Sequence, residues 1–121
     1  MKRILAVDDN KDILEILRYI LEESGYEVDT LSDGHHFFEK IQEHTPDLIL
    51  LDVMLGDMDG RELCKNVKTQ RETHDIPIIM LSASHTIASI SHVYPPDAFL
   101  AKPFDIKALL NTVQQELNRA A

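Results

Sequence analysis

Along the chain, apolar positions alternate between uninterrupted short runs and a spacing near the helical period. Three runs are unbroken: Ile4-Leu5-Ala6-Val7, Leu48-Ile49-Leu50-Leu51 and Ile78-Ile79-Met80-Leu81. Each is too short for a helix and is followed by polar residues, the pattern of a strand buried on both faces. Tyr26, Val28 and Thr30 instead alternate with Glu27 and Asp29, and Phe99-Leu100-Ala101 makes a brief last run. These two are expected at the edges of the sheet. Between the runs, Ile13, Ile16, Leu17, Ile20 and Leu21 fall at helical spacing, and Gly25 closes that helix. A second helix is predicted after Asp33-Gly34, burying Phe37, Phe38 and Ile41 and ending before Pro46. A third is predicted from about Gly60 to Thr69 on Leu63 and Val67, with Cys64 a core or core-edge residue. The last carries Ile106, Leu109, Leu110, Val113 and Leu117 behind Asp105 as N-cap.

Strands alternating with helices across 121 residues imply one α/β domain, residues 1–121, with a parallel sheet covered by helices on both faces. The stretch from Ala83 to Pro96 breaks the rhythm, because it holds no Asp, Glu, Lys or Arg and ends in Pro95-Pro96. Proline pushes the residue before it out of helical geometry, so only a short or irregular fourth helix is expected across residues 85–94. Ile87, Ile90 and Val93 there must pack inward or meet a partner.

Charge narrows the function classes. Twelve Lys plus Arg against twenty-one Asp plus Glu give a net charge of −9, which repels nucleic acid and anionic membranes. Direct nucleic-acid or membrane binding is therefore not expected. Cys64 is the only cysteine, so no internal disulfide can form. Met1-Lys2-Arg3 precedes only the short run Ile4 to Val7, too little for a signal peptide, and no run approaches the ~18 apolar residues of a membrane helix. A cytoplasmic protein is the expectation.

In an open parallel sheet, ligands bind beyond the carboxyl ends of the strands, so the residue after each apolar run carries the chemistry. Here Asp8-Asp9 follow the first run, Asp52 the one beginning at Leu48, Ser82 the one beginning at Ile78, and Lys102-Pro103 end the last. Three carboxylates at one sheet edge repel, by about 4 kcal/mol for a pair 4 Å apart at an effective dielectric near 20. Such a cluster calls for a cation. Oxygen ligands without Cys or His suit a hard divalent ion, and Mg²⁺ takes one or two carboxylates together with waters and a phosphoryl oxygen. Lys102 adds one positive charge, and Ser82 could donate a hydrogen bond to a bound phosphoryl group.

As a set, Val7-Asp8-Asp9, Leu51-Asp52 with Met58-Asp59-Gly60, Leu81-Ser82-Ala83 and Phe99-Leu100-Ala101-Lys102-Pro103-Phe104 resemble the receiver domain of bacterial two-component response regulators. The resemblance spans essentially the whole chain. It implies a flavodoxin-like, doubly wound, five-stranded parallel sheet of order 2-1-3-4-5. It further implies that Asp52 is the phosphoacceptor, that Asp9 and Asp52 ligate Mg²⁺ (or Mn²⁺) directly, and that Asp8 acts through water and Met54 through its backbone carbonyl. By the same resemblance Ser82 would take the role of the switch hydroxyl, Phe99 that of the switch aromatic and Lys102 that of the phosphoryl-binding lysine, with a cis bond before Pro103. The implied donor is a phosphohistidine on a sensor histidine kinase or a histidine phosphotransfer protein. The output then passes to a downstream protein partner through the fourth helix, the last strand and the final helix. The resemblance thus implies not an enzyme in the ordinary sense but a switch that catalyses its own phosphorylation and slow dephosphorylation.

Three departures from the family pattern stand out. Gly56 replaces a common Pro and is expected to loosen the loop after Asp52, Pro95-Pro96 replace Gly-Ala before the last strand, and the segment from Ser82 to Lys102 is slightly short. The final helix lacks the regular Arg positions of DNA-binding regulators that dimerise through this face, so a charge-paired symmetric dimer of that kind is not expected, and the unphosphorylated chain is expected to be a monomer. A haloacid dehalogenase-type phosphatase would need a second Asp two residues beyond Asp52, where Met54 stands. A flavodoxin would need a phosphate-cradling loop where Asp8-Asp9-Asn10 would repel phosphate. Asp57-Met58-Asp59-Gly60 fails as a calcium loop, because Leu55 and Asn66 fall at its first and last ligand positions.

Overall fold

A computed structural model describes residues 1–83 and 96–120. The order along the chain is β1 (Arg3–Val7), α1 (Lys11–Glu23), β2 (Glu27–Leu31), α2 (Phe37–Glu43), β3 (Leu48–Asp52), β4 (Met54–Leu55), β5 (Met58–Asp59), α3 (Gly60–Thr69), β6 (Ile78–Ala83), β7 (Ala98–Lys102) and α4 (Ile106–Ala120). The main sheet is parallel with order β2-β1-β3-β6-β7. Counted without the small hairpin of β4 and β5, this is the expected 2-1-3-4-5. The fold is flavodoxin-like. The expected fourth helix, with Ile87, Ile90, Val93 and the helix-ending role of Pro95, lies outside the described residues.

The three apolar runs form the central strands, and alternate side chains serve two cores. Ile4, Ala6, Leu48, Leu50, Ile79 and Leu81 pack on one face with Leu17 and Leu21 of α1 and Leu109 and Val113 of α4. Leu5, Val7, Ile49, Leu51, Ile78 and Met80 pack on the other with Phe37 and Ile41 of α2 and Leu63, Cys64 and Val67 of α3. Burying both faces explains why these strands read as continuous runs rather than alternating ones. Each fully buried Leu or Ile contributes about 1.5–3 kcal/mol.

The helices begin and end as their residues direct. Asn10 caps α1 by accepting from the N–H groups of Asp12 (2.9 Å) and Ile13 (3.3 Å), and Gly25 lies past its end at φ 95°. Asp105 accepts from the N–H of Ala108 (3.0 Å) at the start of α4. Three stripe members differ from expectation. Ile16 is 53% exposed, and Leu14 is buried in its stead. At about 100° per residue, Leu14, Leu17 and Leu21 centre the buried stripe, Ile13 and Ile20 flank it, and Ile16 falls outside. Ile106, in the first turn of α4, is also exposed, and Phe38 is only partly buried beside Phe37.

The loop after Asp52 differs as well. Gly56 does not loosen it: Met54-Leu55 pairs antiparallel with Met58-Asp59, and Gly56, at φ 66°, is the first of the two turn residues. A two-residue hairpin turn favours positive φ there, which glycine adopts without the Cβ clash that would oppose another residue.

Candidate functional site

The strand order reverses beside β1, with β2 on one side and β3 on the other, and ligands of doubly wound sheets bind at that switch point. Asp8 directly follows β1 and is completely buried. Its Oδ1 accepts from the Asn10 N–H (2.9 Å), so the residue that caps α1 also orients this carboxylate. Its Oδ2 accepts from Lys102 Nζ at 2.7 Å. Asp52 ends β3 and is nearly buried, with Oδ1 accepting from the Met54 N–H (3.4 Å) and Oδ2 lying 3.2 Å from Lys102 Nζ. Asp9 is exposed at the rim. Carboxylate oxygens of Asp8, Asp9 and Asp52 lie within 4.8 Å of one another, the one such acidic cluster among the described residues.

Lys102 therefore bridges two carboxylates rather than pointing at Asp52 alone, and Asp8 is its nearer partner. Burial and the negative charge of Asp8 together push the Asp52 carboxyl above its ordinary value, and Lys102 only partly offsets them. Burial alone would lower the Lys102 ammonium, but the hydrogen bond and charge of Asp8, with Asp52 behind it, raise it above its usual range. One ammonium faces three carboxylates, so the cluster carries excess negative charge.

Ser82 stands in β6, between β3 and β7 in the sheet. It is buried, and its hydroxyl makes no hydrogen bond among the described residues. Phe99 lies outside the cluster, opposite Met80 in the sheet and 38% exposed. Met54 exposes its side chain, and only its backbone N–H reaches Asp52. The Lys102–Pro103 peptide bond is cis, as expected.

Two residues that shape the site were not singled out from sequence. Asn10 orients Asp8, and Ser, Thr, Asp or Asn just before a helix is the usual signal of a cap. Gly60 sits where a Cβ would collide with the carbonyl oxygen of Asp52, while its N–H donates to the Val53 carbonyl at 2.7 Å. A glycine directly after the capping Asp59 was the available signal.

The chain belongs to the response regulator receiver domain family, whose sequence model matches residues 4–114. It is 39% identical over 121 residues to the alkaline phosphatase synthesis transcriptional regulatory protein PhoP of Bacillus subtilis, covering 98% of this chain and 50% of that protein. The chain thus spans about half the length of this curated relative. It also resembles the chemotaxis protein CheY4 of Vibrio cholerae, at 34% identity and TM-score 0.86 over 95% of this chain and 98% of the other. A third likeness is to the signal receiver domain of a signal transduction histidine kinase from Syntrophus aciditrophicus, at 31% identity and TM-score 0.88 over 98% and 91%. Receiver domains are switches of two-component systems, signalling through a phosphorylated aspartate and working with sensor kinases or phosphotransfer proteins. They bind Mg²⁺ at an aspartate cluster, with which Asp8, Asp9 and Asp52 are compatible. Among the described residues no helix is long and apolar enough to cross a membrane.

Proposed function

We propose that the chain is a single receiver domain, residues 1–121, that takes a phosphoryl group from a phosphohistidine of a sensor histidine kinase or phosphotransfer protein onto Asp52. The observation that carries this reading is the convergence of Asp8, Asp9, Asp52 and Lys102 on one sheet edge, beside the buried, unpaired hydroxyl of Ser82. The donor set is all oxygen and over-negative, which fits a hard divalent cation. Asp9 and Asp52 would hold Mg²⁺ (or Mn²⁺) directly, with the Met54 carbonyl. Asp8 would act through water: Asn10 and Lys102 hold its oxygens at 2.9 and 2.7 Å, more tightly than the 3.4 and 3.2 Å contacts of Asp52. When bound, Mg²⁺ neutralises charge on the transferring phosphoryl oxygens.

An Asp52 carboxylate oxygen attacks phosphorus, the N–P bond of the phosphohistidine breaks, and the imidazole nitrogen leaves with the electron pair. Phosphoryl transfer has a loose transition state, so the protein contributes alignment and charge more than covalent chemistry. Lys102 supplies the cation on the phosphoryl group, and the Ser82 hydroxyl donates to one of its oxygens. Water later hydrolyses the acyl phosphate. The movement of Ser82 lets Phe99 turn inward, and the surface of β7, α4 and the segment between β6 and β7, where the sequence predicts a short helix, carries the signal to a downstream protein. The receiver domain works in the cytoplasm, as a monomer before phosphorylation, and itself makes no direct contact to nucleic acid. Incubation with acetyl phosphate tests this reading: intact-mass spectrometry should show one added HPO₃ with Mg²⁺ present and none after chelation. Metal-independent labelling would overturn it.

The orphaned hydroxyl sets a second expectation. A buried unpaired polar group costs about 1–3 kcal/mol, so Ser82→Ala should leave the unphosphorylated protein as stable as wild type or more so. The same variant should lose the response of Phe99 to phosphorylation, read from the ring resonances with and without beryllofluoride, a mimic of the bound phosphoryl group. A normal response in the alanine variant would rule out the coupling.

A further inference from the structure

At the foot of β7, away from the acidic cluster, Lys68 of α3 is only 15% exposed. Its ammonium donates to Asp97 Oδ2 (2.7 Å), to the Ile76 carbonyl (2.9 Å) and to the His74 carbonyl (3.4 Å). Asp97 in turn grips β6: its Oδ2 accepts from the Ile78 N–H (2.8 Å), and its own N–H donates to the Ile78 carbonyl (2.9 Å). One carboxylate thus ties the last turn of α3, the start of β6 and the entry to β7.

We infer that Lys68 and Asp97 are positioning residues for Lys102: their clamp at the foot of β7 sets the register that lets Lys102 reach Asp8 and Asp52 at its head. β7 is an edge strand bonded to β6 alone, and Leu100 is its only buried side chain. Apolar packing therefore gives its register little definition. Pro96 has no N–H, so Asp97 is the first residue of the returning chain that can both donate and accept. A slip of one residue would shift Lys102 by about 3.3 Å and turn successive side chains to opposite faces. The 2.7 Å contact between Lys102 and Asp8 leaves no room for that. The clamp and the lysine lie at opposite ends of the strand, about 16 Å apart at the usual rise per residue, so the clamp acts through the backbone of β7.

The consequence for phosphoryl binding rests on the reading of Asp52 as phosphoacceptor, whereas the placement of Lys102 does not, and the experiment separates the two. In the metal-free protein, the Lys102 ammonium should give a hydrogen-bonded heteronuclear NMR signal that is lost in Lys68→Met and kept in Lys68→Arg. With Mg²⁺, Lys68→Met should bind beryllofluoride about tenfold more weakly, the lower end for loss of a group that orients a binding residue. Its Mg²⁺ affinity should not fall, because none of the proposed metal ligands, Asp9, Asp52 and the Met54 carbonyl, lies on β7. In a Lys102→Ala background, Lys68→Met should weaken beryllofluoride no further, since an effect routed through Lys102 is non-additive with its removal. Should Lys68→Met fail to fold, Asp97→Asn carries the same test, because it keeps an acceptor for the Ile78 N–H. An unchanged Lys102 signal, parallel losses of Mg²⁺ and beryllofluoride affinity, or an additive cycle would each overturn the inference. A clamp-dependent Lys102 signal in a wild type that binds no beryllofluoride would uphold the positioning and refute the phosphoacceptor reading.

Discussion

Asp52→Asn is expected to abolish phosphorylation by acetyl phosphate while making the metal-free protein more stable. The loss follows because the amide oxygen is a far poorer nucleophile than the carboxylate and removes one of the charges proposed to hold Mg²⁺. The gain follows from crowding: Asp52 is nearly buried and faces Asp8, so its ionised form is disfavoured in the fold. A carboxyl whose pKa is raised on folding destabilises the native state above that raised value, and the penalty disappears as pH falls through it towards the unfolded value. In chelator, the stability advantage of Asp52→Asn should therefore be largest above the raised Asp52 value and shrink as pH falls through it towards the ordinary carboxylate range. Urea unfolding across that range measures it. Lys102 keeps Asp8 as a partner in the variant, so no buried cation is left alone. Mg²⁺ should reverse the order: at a hundredfold excess over its Kd, a ligand that binds only the native state adds about 2.7 kcal/mol, and the asparagine variant should gain much less. An adduct on the variant as readily as on wild type would remove Asp52 from its proposed role.

Gly60→Ala should cost about 3 kcal/mol, at the upper end of the range for overpacking, and should weaken Mg²⁺ binding as well. The obstacle is backbone, not a flexible side chain: a Cβ at Gly60 meets the carbonyl oxygen of Asp52, the Asp52 carbonyl carbon at 3.0 Å and Val53 Cα at 3.1 Å. Neither neighbour can rotate away. Relief requires α3 to lift from the end of β3, which would stretch the 2.7 Å hydrogen bond from the Gly60 N–H to Val53 and displace the Asp52 backbone. By contrast, Gly25 has open space around its Cβ position and would be strained only through its positive φ, so its replacement should leave metal affinity untouched. Paired denaturation and Mg²⁺ titrations of the two variants test this; equal Mg²⁺ affinity in Gly60→Ala and wild type would show that the close approach does not govern the site.

Much of this architecture is legible in the order of residues, because burial on two faces demands unbroken apolar runs and because parallel strands bring their carboxyl ends to one edge. Those two constraints alone place Asp8, Asp9, Asp52, Ser82 and Lys102 together, and the spacing of Leu63 and Val67 marks α3. The helical period was less exact. Counting from Ile13 took in Ile16, whereas the buried stripe is centred on Leu14, Leu17 and Leu21 and leaves Ile16 exposed.

What tertiary structure decided are contacts between residues far apart in the chain, each dependent on distances of a few tenths of an ångström. Lys102 and Asp8, 94 residues apart, form the shortest ion pair of the cluster, a contact that the phosphoryl-binding role implied for Lys102 did not foretell. Gly56 closes a hairpin instead of loosening a loop, because two neighbouring dipeptides found each other across it. Lys68 and Asp97 meet because α3 packs beside the strand that Asp97 begins, and neither residue carries a local signature of that role. Local pattern records which residues must leave water; it does not record which buried polar atoms then find one another, because that depends on where separate elements come to rest.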